Sequence, residues 1–137
     1  MNKFFIASEA VWHKINESHG EDGGVYVLKC LNVQESNPVP VSRLLARDDE
    51  GVLYIGQANS FICRVAELKN SISPSYTSES HECGFRYKQN HEISVIFPYK
   101  NLFLEFVASS EPRVTESELL QKYALKFGEL PPLNRSR

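Results

Sequence analysis

Two tyrosines, one arginine and one glutamate lie at positions where each side chain is expected to be partly buried against a neighbouring strand or helix. Tyr26 and Tyr54 lie in apolar runs that predict strands. Arg64 flanks the apolar side of a predicted helix, where a guanidinium offers two parallel donors to a phosphate. Glu116 leads an apolar stripe, and an inward carboxylate needs a partner or a cation. Singly, each has an ordinary structural explanation: strand packing for the tyrosines, a solvated or ion-paired arginine, and a helix-dipole or surface glutamate.

The hydrophobic pattern predicts the elements that must position these side chains. Strands are predicted at 25–31, 52–56, 92–97 and 102–108, and helices at about 9–18 (capped by Ser8), 60–70 (capped by Asn59 or Ser60) and 115–127 (capped by Gly128). Residues 42–46 are interpreted as a single helical turn, and 71–90 as mostly irregular.

The last helix distinguishes two glutamates. Glu116 shares one helical face with the apolar positions 120, 123 and 127, whereas Glu118 lies on the wetter side. Thr115 and Glu118 also form a capping-box pattern, which gives Glu118 a local role. Glu116 is therefore the better candidate for a site.

Bulk composition limits the classes of protein. The 137 residues suit one domain, and 42% hydrophobic with 23% charged residues is typical of a globular chain. A net charge of −2 gives no general basic excess for nucleic acid. Three cysteines without CxxC spacing indicate a reducing, cytoplasmic setting, and Cys30 and Cys63 are expected to be buried. No signal peptide or membrane helix is predicted.

The order of these residues resembles the GIY-YIG nuclease superfamily. Gly24-Val25-Tyr26 precedes Tyr54-Ile55-Gly56, Arg64 follows Tyr54 by ten positions, and Glu116 and Asn134 come late in the chain. The resemblance covers 23–134 and leaves 1–22 as an N-terminal helical extension of one domain, 1–137. It implies an α/β (α+β) fold with a small central antiparallel sheet flanked by helices.

The resemblance also implies a function. It predicts a metal-dependent endonuclease that hydrolyses phosphodiester bonds in nucleic acid, DNA more than RNA, with one Mg²⁺ or Mn²⁺ ion held by Glu116. Tyr26 and Tyr54 would lie beside the scissile phosphate, one as the base and one as a positioner, with Tyr26 slightly favoured as base. Arg64 would contact the phosphate and Asn134 would support the site, so these side chains are expected to share one pocket. Weaker candidates are His81 near the phosphate and Arg86 and Arg43 as further nucleic-acid contacts, Arg43 being closer to an ordinary surface residue.

The chain departs from the family pattern in ways that keep alternatives open. Val25 replaces the usual isoleucine, Gln57 stands where lysine is common, and the link between the two motif strands is long. A DNA-binding domain has no room here, so a separate DNA-targeting partner protein is one expectation. The alternatives are a non-catalytic nucleic-acid-binding or protein-interaction module on the same fold, and an unrelated small α/β protein.

Overall fold

The fold is α+β, with a five-stranded antiparallel sheet and helices around it. The computed structural model describes residues 3–74, 82–89 and 91–134 of the chain. The order of strands is β1 (Phe4–Phe5), β7 (Leu102–Ala108), β2 (Gly24–Asn32) and β3 (Asn37–Pro38), with β6 (Tyr54–Ala58) also paired to β2. The helices are α1 (Val11–His19), α2 (Phe61–Ile72), α3 (Glu82–Gln89), α4 (His91–Ile96) and α5 (Pro112–Phe127). The predicted antiparallel sheet flanked by helices is confirmed.

The central strand β2 fixes the register of the motif residues. Seven of its positions, Gly24 to Cys30, pair with β7, and the first five also pair with β6. Tyr26 thereby lies opposite Gly56 on one side and Phe106 on the other. The nearly continuous apolar run of β2 is explained by this position, because both of its faces are covered.

The two faces of the sheet are covered by different helices. Successive residues of a strand point to opposite faces. Tyr26 belongs to the larger core, with Phe61, Val65 and Leu68 of α2. Val25 and Ile55 point the other way and pack against Leu120 of α5. Helices α2 and α5 therefore lie on opposite faces of the sheet. A site that uses residues of both helices must lie at the edge or end of the sheet, where the two faces meet.

A buried carboxylate ties α5 to the loop before β6. Asp48, at the end of the short strand β5 (Arg47–Asp48), accepts a hydrogen bond of 2.8 Å from the hydroxyl of Tyr123. Its oxygens also accept from the backbone N–H groups of Glu50, Gly51 and Val52. With these bonds the buried carboxylate is satisfied, and the turn at Asp48–Gly51 is held against the helix.

Several predicted elements are wrong. Residues 92–97 are not a strand, since 91–96 form α4, and residues 82–89 form helix α3 within the segment expected to be irregular. Residues 42–46 are not a helical turn: β4 (Val41–Ser42) pairs with β5, and the chain turns between them. In each case contacts with distant elements outweigh a short local pattern.

The predicted helix starts also need correction. Helix α1 begins after Ala10 instead of Ser8, although the Ser8 hydroxyl accepts from the N–H of Ala10. Helix α5 begins at Pro112, so Thr115 lies inside the helix and its hydroxyl bonds to that of Ser109, and the capping box does not form. Ser60 does cap α2, and Gly128 ends α5 in the left-handed conformation, as predicted. No helix in the described part of the chain is long and apolar enough to cross a membrane.

Candidate active site

Tyr26 and Tyr54 form a ring pair on the face of the sheet covered by α2. Their ring centroids are 5.9 Å apart and the ring planes are inclined by 39°. Tyr26 is almost completely buried, at 1% exposure, whereas Tyr54 at the start of β6 is half-buried. The two motif tyrosines are thus adjacent, with only Tyr54 open to an incoming molecule.

Gly56 makes room for this pair. A Cβ at position 56 would lie 2.5 Å from Cζ and Oη of Tyr26 and 2.6 Å from Cε2 of Tyr54. Both rings therefore lie over the bare backbone of β6, and a side chain there would displace them. The packing of the two rings requires glycine as the third residue of the Tyr-Ile-Gly tripeptide. The requirement does not come from a backbone turn.

The substitution Gly56→Ala is expected to lower the free energy of unfolding by about 1–3 kcal/mol, because an added methyl group overpacks the site. Urea unfolding measures this loss. The same substitution made in a Tyr54→Ala background is expected to cost less, because one of the crowded rings is gone. Equal costs in both backgrounds would show that the tyrosine pair does not depend on Gly56.

Arg64 links the tyrosine pair to the surface. It lies in the second turn of α2, one residue beyond Cys63, whose N–H is capped by Ser60. The guanidinium forms a hydrogen bond with the Tyr26 side chain and an ion pair of 3.1 Å with Glu67. One third of the Arg64 side chain remains exposed, so part of the fork stays available to a ligand.

Burial changes the role that Tyr26 can take. Desolvation raises its pKa well above the usual value, the neighbouring Tyr54 and Cys83 raise it further, and Arg64 opposes the shift. A phenol with a raised pKa keeps its proton at neutral pH and is a poor base. This burial argues against the slight preference for Tyr26 as the base, and its hydroxyl instead forms a hydrogen bond with Arg64.

Glu116 reaches the sheet from the other face. It is 7% exposed and lies on the buried stripe of α5 with Leu120, Tyr123 and Phe127, as its spacing predicts. Because Leu120 packs on the face opposite Tyr26, α5 brings Glu116 towards β6 from the side away from α2.

An open cleft of about 870 Å³ joins the two faces at the end of β6. Its walls come from the end of β6, the first turns of α2 and the first turn of α5: Gln57, Ala58, Asn59, Ser60, Cys63, Arg64, Glu67, Glu111, Pro112, Arg113 and Val114. Of the five motif residues only Arg64 lines it, whereas Tyr26, Tyr54, Glu116 and Asn134 do not, so the prediction that these side chains share one pocket is wrong for this cleft. Glu116 lies three and four residues beyond Arg113 and Pro112, one helical turn away on the same side of α5.

Asn134 supports β6 from its outer edge. Its side-chain amide accepts from the N–H of Ile55 and donates to the carbonyl of Ile55, both at 2.9 Å. The N–H of Leu133 donates to the carbonyl of Leu53, so residues 133–134 continue the sheet. The amide makes strand-like hydrogen bonds only at Ile55. Further along β6, Gln57 lines the cleft.

The weaker candidates lie elsewhere. Arg43 is not an ordinary surface residue, because its guanidinium donates to the carbonyl of Leu130 and pairs with Glu129, and its side chain is 15% exposed. Arg86 donates to the carbonyl of Leu133 and lines a separate hollow of about 610 Å³. Neither guanidinium faces the cleft. His81 lies outside the described residues.

Sequence reasoning missed two residues of the cleft. Cys63 was expected to be buried but is exposed and lines the wall beside Arg64. Arg113 was overlooked because the start of α5 was placed three residues too late; Pro112, a residue favoured at a first helical position, was the available signal. The buried prediction was correct for Cys30.

No family model, no curated protein and no solved structure matches this chain. Function must therefore come from the geometry of the site. Among the described residues no three acidic, histidine or cysteine side chains form a metal cluster. A single buried carboxylate nevertheless suits Mg²⁺, which commonly keeps several waters and takes one or two protein carboxylates.

Proposed function

We propose that the chain is a metal-dependent endonuclease of the GIY-YIG type that hydrolyses phosphodiester bonds in nucleic acid, DNA in preference to RNA. The observation that carries the proposal is the contact of Arg64 with Tyr26 at the wall of the cleft, beside Tyr54. Tyr26 thereby meets Tyr54 and Arg64, two residues that come much later in the chain and were expected from the motif order. An accidental pair of tripeptides gives no reason for that meeting.

The side chains divide the work of hydrolysis between them. Arg64 binds the anionic phosphate through charge-assisted hydrogen bonds that strengthen as charge builds up. The Tyr26 hydroxyl orients Arg64 from below, since it is buried and keeps its proton. Tyr54, the more open ring, lies where it can hold or take the proton of an attacking water.

Glu116 is the residue that would hold a Mg²⁺ or Mn²⁺ ion. Such an ion supplies charge stabilisation on a phosphate oxygen when bound. Glu116 itself contributes a carboxylate that is kept away from bulk water by the packing of α5. Gln57, which lines the cleft, is neutral where family members commonly carry lysine, so Arg64 bears more of the phosphate charge.

A non-catalytic nucleic-acid-binding module on the same fold is the second candidate. It is favoured by the position of Glu116, which approaches from the face opposite Arg64 and does not line the cleft. The two candidates share the cleft and differ in whether a metal ion at Glu116 acts on the bound phosphate.

The direct test incubates the purified chain with Mg²⁺ or Mn²⁺ and plasmid DNA, single-stranded DNA or RNA. We expect cleavage that stops when a bulky maleimide is attached to Cys63, because this exposed thiol lines the cleft while Cys30 and Cys83 are buried. In a Cys63→Ser variant, the reagent is expected to leave that variant's own rate unchanged within about twofold. Cleavage that survives full labelling of Cys63 would show that the activity does not arise in this cleft, and it would overturn the proposal.

A further inference from the structure

The cleft carries a second arginine that the proposed chemistry does not use. Arg113 lies at the second position of α5 and lines the same cleft as Arg64, although α5 and α2 cover opposite faces of the sheet. It is exposed, and within the described ranges no ion pair or hydrogen bond engages its guanidinium. Arg64, Arg43 and Arg86 all have such contacts, so Arg113 differs from the other arginines near this end of the molecule.

The charge of Arg113 is unfavourable where it stands. The first turn of a helix carries partial positive charge from unpaired N–H groups, and acidic residues are stabilising there. The first turn of α5 has no acidic residue and instead carries this arginine. The first turn of α2, on the opposite wall, also has no acidic residue. An anion bound in the cleft would offset the positive charge at the first turns of both helices.

Two acidic residues, Glu67 and Glu111, also line the cleft and partly offset its positive charge. Glu67 is already paired with Arg64 at 3.1 Å. Glu111 precedes the first turn of α5, and its N–H is bonded to the hydroxyl of Ser109. Neither carboxylate forms an ion pair with Arg113 within the described ranges, so the guanidinium of Arg113 remains available to an anion.

We propose that Arg113 binds a second phosphate of the nucleic-acid strand whose scissile phosphate lies at Arg64, so that the strand runs through the cleft around the end of β6. The proposal rests on the proposed function for the identity of the ligand. Arg113 then fixes the position of the strand and takes no part in breaking the bond. Its removal should raise KM and leave kcat nearly constant.

Binding is tested by fluorescence anisotropy with a short fluorescein-labelled single-stranded DNA, its duplex and the matching RNA, all in EDTA so that no cleavage occurs. Arg113→Ala is expected to weaken binding roughly tenfold at low salt. The slope of log K against log salt should become less steep by about 0.7 on a single strand, the value for one lost phosphate contact.

The matched control is Arg47→Ala, which removes the same charge from an exposed residue that pairs with Asp49 outside the cleft. It is expected to change affinity by less than about twofold. The melting temperature of Arg113→Ala should not fall, since the substitution removes a cation from a helix N-terminus. A weakened affinity therefore cannot be attributed to unfolding.

The outcomes separate this inference from the proposed function. Equal affinities and salt slopes for Arg113→Ala and Arg47→Ala overturn the second phosphate contact, even where the chain cleaves DNA. Selective loss of binding in Arg113→Ala without any metal-dependent cleavage by the wild-type chain supports the contact and overturns the catalytic proposal. Absence of binding by the wild-type chain at low salt overturns both.

Discussion

Replacing Arg64 by alanine is expected to lower metal-dependent cleavage about a hundredfold to a thousandfold, the effect of removing one donor from a developing oxyanion. The free energy of unfolding should also fall by about 1–3 kcal/mol, because the buried hydroxyl of Tyr26 loses its charged partner. Arg64→Lys keeps the charge but not the planar fork, and it should recover only part of the rate. Steady-state cleavage of plasmid DNA and urea unfolding provide the two measurements.

Substitution of Glu67 distinguishes a phosphate-binding role of Arg64 from a purely structural ion pair. Its carboxylate competes with a bound phosphate for the guanidinium of Arg64. If Arg64 binds substrate, Glu67→Gln should strengthen the binding of an oligonucleotide and should not reproduce the loss seen in Arg64→Ala. If Arg64 acts only through its pair with Glu67, Glu67→Gln will lower cleavage as much as Arg64→Ala does, and the assignment of Arg64 to the phosphate is wrong. Only activity is compared, because Arg64→Ala also removes the contact with Tyr26 and should destabilise the fold in either case.

The most accurate strand predictions were those for segments with a long, nearly continuous run of apolar residues. The runs around Tyr26 and Phe103 are apolar and long enough to exclude most alternatives, and both lie in the sheet. Helices α3 and α4 have only eight and six residues, below the length at which a helix is stable alone. Packing of Cys83 and Tyr87 into the larger core decides the form of α3, and Ile93 of α4 packs against the same core. Local sequence does not contain that information.

The site was predictable in its residue types but not in its arrangement. Motif order indicated Tyr26, Tyr54 and Arg64, and these meet. The spacing of α5 correctly placed Glu116 on the buried stripe. Which face of the sheet α5 covers follows from the path of the whole chain, however, and the raised pKa of Tyr26 follows from its burial over Gly56. Neither property belongs to any short segment.

Replacing Glu116 by glutamine is expected to abolish metal-dependent cleavage, by roughly a thousandfold or more, because the metal ion contributes several kcal/mol to the transition state. The amide keeps the size of the side chain and one acceptor oxygen, so the free energy of unfolding should change by only about 1 kcal/mol. Binding of oligonucleotide in EDTA should persist, since Arg64 and Arg113 line the cleft without Glu116.

Thermal unfolding tests the metal at Glu116 independently of activity. An ion that binds only the folded chain stabilises it by about 2.7 kcal/mol at a hundred times its Kd, so Mn²⁺ should raise the melting temperature of the wild-type chain but not of Glu116→Gln. Glu118→Gln is the matched control, because this glutamate is exposed on the same helix two residues later. Because α5 approaches from the face opposite Arg64, this comparison decides between a nuclease and a binding module. If Mn²⁺ stabilises Glu116→Gln as much as Glu118→Gln, the carboxylate is structural and the cleft only binds nucleic acid.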